Sequence, residues 1–110
     1  MLKKLDLSFN QLTSVPEKLP ESLSILLLSN NNFIKVENTH LNYLNLLTKL
    51  DLCNNKIKEI TENDFEHINR LEELNLSSNQ LESIRFAKLP VSLINLLLKN
   101  NNFTKVKKNY

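Results

Sequence analysis

The sequence has no glycine and no tryptophan, and it contains one cysteine. Without glycine it cannot form a phosphate-binding loop of the usual kind, which uses that residue to bring backbone N–H groups around the anion. A single cysteine, Cys53, excludes a framework of internal disulfides. Turns that require a positive φ must then use asparagine, the next most tolerant residue. An AT-rich genome, which favours asparagine, lysine and isoleucine codons, explains the same composition equally well.

Charge and hydropathy exclude two further classes of protein. The net charge of +2 is too small to indicate a nucleic-acid partner. No apolar run approaches the roughly 18 residues of a membrane span. Repeat sequence follows Met1 directly, so we expect no signal peptide within these residues, although the chain can be a segment of a longer protein. A length of 110 residues predicts one domain, residues 1–110.

One nine-residue motif, Leu-x-x-Leu-x-Leu-x-x-Asn, occurs five times. The copies begin at Leu2, Leu23, Leu47, Leu71 and Leu93, and they end at Asn10, Asn31, Asn55, Asn79 and Asn101. An apolar residue follows each asparagine at the second place and another at the fifth, the latter being Val15, Val36, Ile60, Ile84 and Val106. A period of 21 to 24 residues indicates a stacked solenoid, and five copies exceed the roughly three needed for a continuous core.

The alternating direction of side chains along an extended strand predicts which residues of the motif are buried. The second and third leucines are two residues apart, so in an extended strand both point to the same side, into the solenoid. The closing asparagine stands where the chain turns out of the strand. A buried amide there can donate to a backbone carbonyl and accept from the N–H of a neighbouring turn. The five asparagines are therefore predicted to form a structural ladder, whereas Asn30, Asn32, Asn54, Asn100 and Asn102 are expected to be exposed.

The remaining strand positions point outward and predict a partner-binding surface on the concave face. Large apolar side chains at exposed positions mark contact sites when they cluster inside a charged rim. Such a cluster is expected on the first three strands, with Leu97 three strands away as a separate contact. The predicted surface comprises Lys4, Asp6, Phe9, Ile25, Leu27, Lys49, Asp51, Glu73 and Leu97. An ordinary solvated sheet surface is the alternative interpretation.

The return segments between strands differ in length. In the second and third repeats, Leu41, Leu44, Phe65 and Ile68 have spacings that allow a helical turn with an apolar face. The first and fourth repeats are shorter and contain Leu-Pro, which predicts extended returns because proline disfavours helix. The stretch 2–33 matches 71–103, so the order short, long, long, short indicates a duplicated three-repeat block.

This order, together with Leu-Pro-x-Ser-Leu before the long repeats at 19–23 and 89–93, resembles the extracellular leucine-rich repeat proteins. The small leucine-rich proteoglycans use this arrangement, and Toll-like receptor ectodomains contain stretches similar to VPEKLPESLSILLLSNNNF. The resemblance covers the whole chain. It implies a right-handed α/β solenoid with a parallel sheet on its concave face, extended, 3-10 or short helical returns on the convex face, protein–protein recognition and an extracellular setting. Unlike those families, the chain has no cysteine caps.

No catalytic or cofactor-binding constellation is visible, so we predict a binding module that is not an enzyme, with a protein ligand and no metal. His40 and His67 are expected to be isolated on the convex face, and Asp64 is expected in a solvated acidic loop. Asn75 and Asn102 fit the glycosylation pattern, but so much asparagine produces such triplets by chance. The alternative function is a structural fragment of a longer solenoid that self-associates through its uncapped ends.

Overall fold

The computed structural model describes residues 1–36, 40–61 and 63–103. It contains five short parallel strands: β1 Lys4–Asp6, β2 Ile25–Leu27, β3 Lys49–Asp51, β4 Glu73–Asn75 and β5 Asn95–Leu97. The strands pair in sequence order within one sheet. The predicted solenoid with a parallel sheet is thus confirmed, while the apolar position Val106 lies outside the described residues.

The core is a column of leucines that the strands supply in register. The central strand residues pair as Leu5 with Leu26, Leu26 with Leu50, Leu50 with Leu74 and Leu74 with Leu96. The three middle leucines of this column are fully buried, whereas Leu5 and Leu96 are only partly buried. The difference arises because each terminal strand has a neighbour on one side only. Stacking of repeats therefore buries apolar surface that one short strand leaves in water.

The closing asparagines bind the backbone of two successive repeats. The Asn55 Nδ2 group donates to the Leu52 carbonyl of its own repeat at 3.0 Å and to the Leu28 carbonyl of the preceding repeat at 3.1 Å. Its Oδ1 accepts from the Phe33 N–H at 3.0 Å. Asn31, Asn79 and Asn101 repeat this arrangement. Asn10 is exposed and donates only to carbonyls of its own repeat.

The residue before each ladder asparagine has a left-handed backbone conformation in all five repeats. Its φ lies between 55° and 60° at Phe9, Asn30, Asn54, Ser78 and Asn100. In the first four repeats its N–H donates to a carbonyl of the next repeat, as when Asn54 donates to the Ser77 carbonyl at 2.9 Å. The prediction that asparagine takes these turns holds for three repeats and is wrong for Phe9 and Ser78. Asn54 is exposed as expected, but Asn30 and Asn32 are half-buried.

The returns differ in part from their predicted shapes. A 3-10 helix spans Leu41–Tyr43 in the second repeat, and a run of turns occupies 63–67 in the third. The fourth return was expected to be extended, yet a 3-10 helix spans Phe86–Lys88 before Leu89. That expectation was wrong because proline restricts the residue before it and not the turn further upstream.

Replacing Asn55 by alanine should lower the free energy of unfolding by about 1–3 kcal/mol, because it leaves buried backbone groups unpaired. Chemical denaturation measures this loss. Asn45→Ala is the matched control, since Asn45 is exposed, has no positive φ and should change stability by less than about 0.5 kcal/mol. Equal denaturation midpoints for the two variants would contradict the structural role of the ladder. Asn54 is unsuitable as a control because its left-handed backbone disfavours alanine.

Candidate functional site

The strand register arranges the outward side chains of the first three strands in two rows. Ile25 pairs with Lys4 on one side and with Lys49 on the other. Leu27 pairs in the same way with Asp6 and Asp51. Each apolar side chain of β2 is therefore flanked by two like charges, positive in the first row and negative in the second. We call Lys4, Asp6, Phe9, Ile25, Leu27, Lys49 and Asp51 the concave patch.

The two carboxylates of the concave patch are held by the backbone at the strand ends. Asp6 Oδ1 accepts from the Ser8 N–H, and Asp51 Oδ1 accepts from the Cys53 N–H, both at 2.9 Å. Hydrogen bonds from the Ser8 side chain and backbone, with a smaller effect of Lys4, hold the pKa of Asp6 below its ordinary value. One oxygen of each carboxylate is thus held by a backbone N–H. The other oxygen is oriented by this contact and can still accept a hydrogen bond.

The positive row is partly neutralised within the protein. Lys49 Nζ lies 3.3 Å from Glu73 Oε2, and these residues are direct cross-strand partners. Both side chains are partly exposed, so the pair adds less than about 1 kcal/mol to stability. Glu73, which was predicted to contact the partner protein, therefore forms an ion pair with Lys49 within the chain.

The apolar members of the predicted surface differ in exposure. Phe9 is 79% exposed and follows Ser8, whose hydroxyl accepts from the Ser29 hydroxyl at 3.0 Å. Ile25 and Leu27 are half-buried between their charged neighbours. Leu97 is 42% exposed and lies three strands from Leu27, outside the concave patch.

Phe9 combines exposure with a backbone conformation that is unfavourable for an aromatic residue. Its φ is 60°, and the left-handed region costs an L-residue roughly 1–2 kcal/mol. Sequence reasoning placed Phe9 on the surface but missed this conformation. The available signal was its alignment with Asn30, Asn54 and Asn100 in other repeats.

The convex face differs from its predicted description at two residues. Asp64 is buried and accepts from the Thr61 N–H at 2.8 Å and the Thr61 hydroxyl at 2.6 Å, so the expected solvated acidic loop is wrong. His40 is not isolated, because its Nδ1 lies 2.5 Å from the Val15 carbonyl and its Nε2 lies 3.9 Å from Glu17. The Asp64 contacts belong to one local turn, and the His40 contacts join different repeats. Neither set follows from the repeat pattern of the sequence.

Two convex grooves lie where a short return adjoins a long one. The first, of about 750 Å³, is bordered by Leu19, Pro20, His40 and Tyr43. The second, of about 640 Å³, is bordered by Phe65, Arg85, Lys88 and Pro90. Sequence reasoning did not identify them as sites.

Neither a metal centre nor a membrane helix is found in the described part of the chain. The histidines, acidic residues and Cys53 form no group of three that could hold a metal ion among residues 1–36, 40–61 and 63–103. Across the same ranges no helix is long and apolar enough to cross a bilayer. The possible acceptor Asn75 lies on β4 with its Oδ1 bound to the Ser77 N–H at 3.0 Å, and the triplet of Asn102 extends beyond the described residues.

Replacing Phe9 by asparagine should raise the free energy of unfolding by about 1 kcal/mol, because asparagine tolerates the left-handed backbone. Thermal or chemical denaturation measures the change. Tyr43→Asn is the control, as Tyr43 is also a well-exposed aromatic but has no positive φ. A lower stability of Phe9→Asn than of the unmodified chain would show that the Phe9 side chain stabilises the fold.

The Cys53 thiol should react slowly with iodoacetamide at neutral pH. Burial raises the pKa of this thiol and the Asp51 carboxylate raises it further, which reduces the reactive thiolate. The rate should increase as the pH rises through the elevated pKa, and Asp51→Asn should increase it at constant pH. Equal rates for the folded chain and the urea-unfolded chain would contradict this environment.

Comparisons with known proteins agree with this architecture. The family model described as "Leucine rich repeat" matches residues 21–81, and a second "Leucine Rich Repeat" model matches residues 1–21. No curated protein sequence matches the chain. The crystal structure of human 5T4 (Wnt-activated inhibitory factor 1, trophoblast glycoprotein) superimposes with a TM-score of 0.76 and 26% sequence identity. The match covers 86% of this chain and 36% of the 5T4 chain, so this chain spans about a third of that protein. The predicted resemblance to leucine-rich repeat proteins is confirmed, and the chain belongs to the leucine-rich repeat family.

Proposed function

We propose that this protein is a non-enzymatic module that binds a partner protein through the concave patch. The observation that carries the proposal is Phe9, an aromatic side chain that is 79% exposed on a strained backbone. Exposure and strain both cost stability, and strained residues cluster at functional sites. Leucine-rich repeat domains typically recognise proteins, which supports the same conclusion.

The composition of the concave patch suits a protein interface. Aromatic and aliphatic anchors supply affinity where they are desolvated, and charged residues around them exclude wrong partners. Ile25 and Leu27 lie on β2, between strands that carry lysine and aspartate. Leu27 occupies the centre of the second row, so it is the residue on which we expect affinity to depend most.

We also propose that residues 1–110 fold as one domain and that the protein acts outside the cell. The continuous sheet through all five repeats supports the first proposal. The likeness to the 5T4 glycoprotein supports the second.

Replacing Leu27 by aspartate should weaken binding of the partner by about 2 kcal/mol or more, because a charge would enter the apolar centre of the interface. Stability should change little, since the side chain points away from the core. The partner is first isolated by capture on the unmodified chain, and its affinity for each variant is then measured by calorimetry.

Two further variants complete this experiment. Tyr43→Ser removes an exposed aromatic outside the concave patch and should leave binding unchanged. Leu28→Ala removes a fully buried side chain and should cost roughly 2–5 kcal/mol of stability. A folded Leu27→Asp variant with unchanged affinity would exclude the concave patch as the binding site.

A structural role is the second candidate function, in which the chain self-associates through its terminal repeats. Exposed apolar side chains in those repeats favour it: Leu2 is 48%, Ile94 is 73% and Phe103 is 41% exposed. Light scattering over a range of concentrations tests this candidate. Association that Ile94→Glu abolishes and Leu27→Asp preserves would support it, whereas a monomer at all concentrations would exclude it.

A further inference from the structure

We infer that the segment bound by the concave patch is basic as well as apolar, with a lysine or arginine side chain that pairs with Asp51 beside Leu27. This inference rests on the proposed function, since it specifies the partner of the same surface. Its occupant is a polypeptide segment in which a cationic residue stands next to apolar ones.

The fold does not require the negative charge at position 51. Asp51 uses one oxygen to accept from the Cys53 N–H at 2.9 Å. Asn75, the equivalent residue of the next repeat and its direct strand neighbour, accepts from the Ser77 N–H at 3.0 Å with a neutral amide. An amide thus provides the same turn, and the carboxylate charge of Asp51 is surplus to the structure.

Neither Asp6 nor Asp51 forms an ion pair among the described residues, but Asp6 has a lysine, Lys4, that acts on its carboxylate. Lys49 is engaged by Glu73 at 3.3 Å. Lys4 acts on the Asp6 carboxylate, whose pKa it helps to lower. Within ranges 1–36, 40–61 and 63–103, no cationic side chain forms an ion pair with Asp51. A partner that supplies one cation at this position therefore completes the charge balance of the surface.

The position of Leu27 explains why the cation should be a long side chain on an apolar segment. Leu27 is the direct strand partner of Asp51, at the spacing of about 4.8 Å between adjacent strands. Lysine and arginine place an apolar stem against hydrophobic surface while the charged head reaches a polar group. One such side chain can cover Leu27 and reach Asp51, and arginine can do so with two parallel hydrogen bonds.

A selection from a phage-displayed library of random 12-residue peptides tests the inference on the whole chain. Selected peptides are synthesised and titrated against the unmodified protein, Leu27→Asp, Asp51→Asn and Glu82→Gln. Asp51→Asn preserves the hydrogen-bond acceptor, as Asn75 demonstrates. Glu82→Gln removes an exposed carboxylate outside the concave patch and controls for net charge. Circular dichroism confirms that each variant is folded.

The expected result is a set of peptides that are rich in arginine or lysine next to apolar residues and that lose affinity in Leu27→Asp. Their affinity should fall about tenfold in Asp51→Asn, remain constant in Glu82→Gln and decrease with added salt. Peptides that require Leu27 but lack basic residues, or that bind Asp51→Asn normally, would overturn the inference and leave the concave site intact. Peptides indifferent to Leu27→Asp, or a selection without binders, would overturn the proposed function and the inference together.

Discussion

A single asparagine side chain in each repeat after the first connects that repeat to the preceding one, and the rest of the structure depends on that connection. Asn55 donates to carbonyls of its own and the preceding repeat and accepts from the Phe33 N–H, so one amide fixes three backbone segments. These backbone groups are buried. Leaving one of them unpaired costs more free energy than a hydrogen bond contributes net to stability. A strand of three residues cannot specify its own register by length. The ladder supplies that register, and the leucine column then packs in only one way.

The same constraint aligns the outward side chains of the sheet. Because every repeat is held in one register, outward residues at equivalent positions form straight rows across the sheet. These positions contribute little to the core, so they can differ between repeats without altering the fold. The row that reads Asp6, Leu27, Asp51, Asn75, Leu97 illustrates this freedom. The fold therefore separates inward strand positions, which are leucine in every repeat, from outward positions, which vary in size and charge.

The sequence predicts the strands, the buried leucines and the ladder because each follows from a pattern with a fixed period. It also predicts the two flanking rows of charge, since parallel strands in register align equivalent positions. It does not predict features that arise from contacts between distant segments or from one local turn. The burial of Asp64 depends on a turn closed by Thr61, and the contact of His40 depends on Val15 in another repeat. The backbone of Phe9 is imposed by the shared geometry of all five repeats, against the preference of the residue itself.

Native-state hydrogen exchange at the amides that donate to the ladder tests the central claim most directly. The N–H groups of Phe33 and Ile57 donate to Asn55 and Asn79, in segments that are neither strand nor helix. If the ladder holds successive repeats together, these amides should exchange only with global unfolding, at the same free energy as the amides of Leu28 and Leu52, which follow β2 and β3 directly and donate to the neighbouring strands. Exchange of Phe33 and Ile57 at rates typical of exposed turns, while Leu28 and Leu52 stay protected, would contradict it.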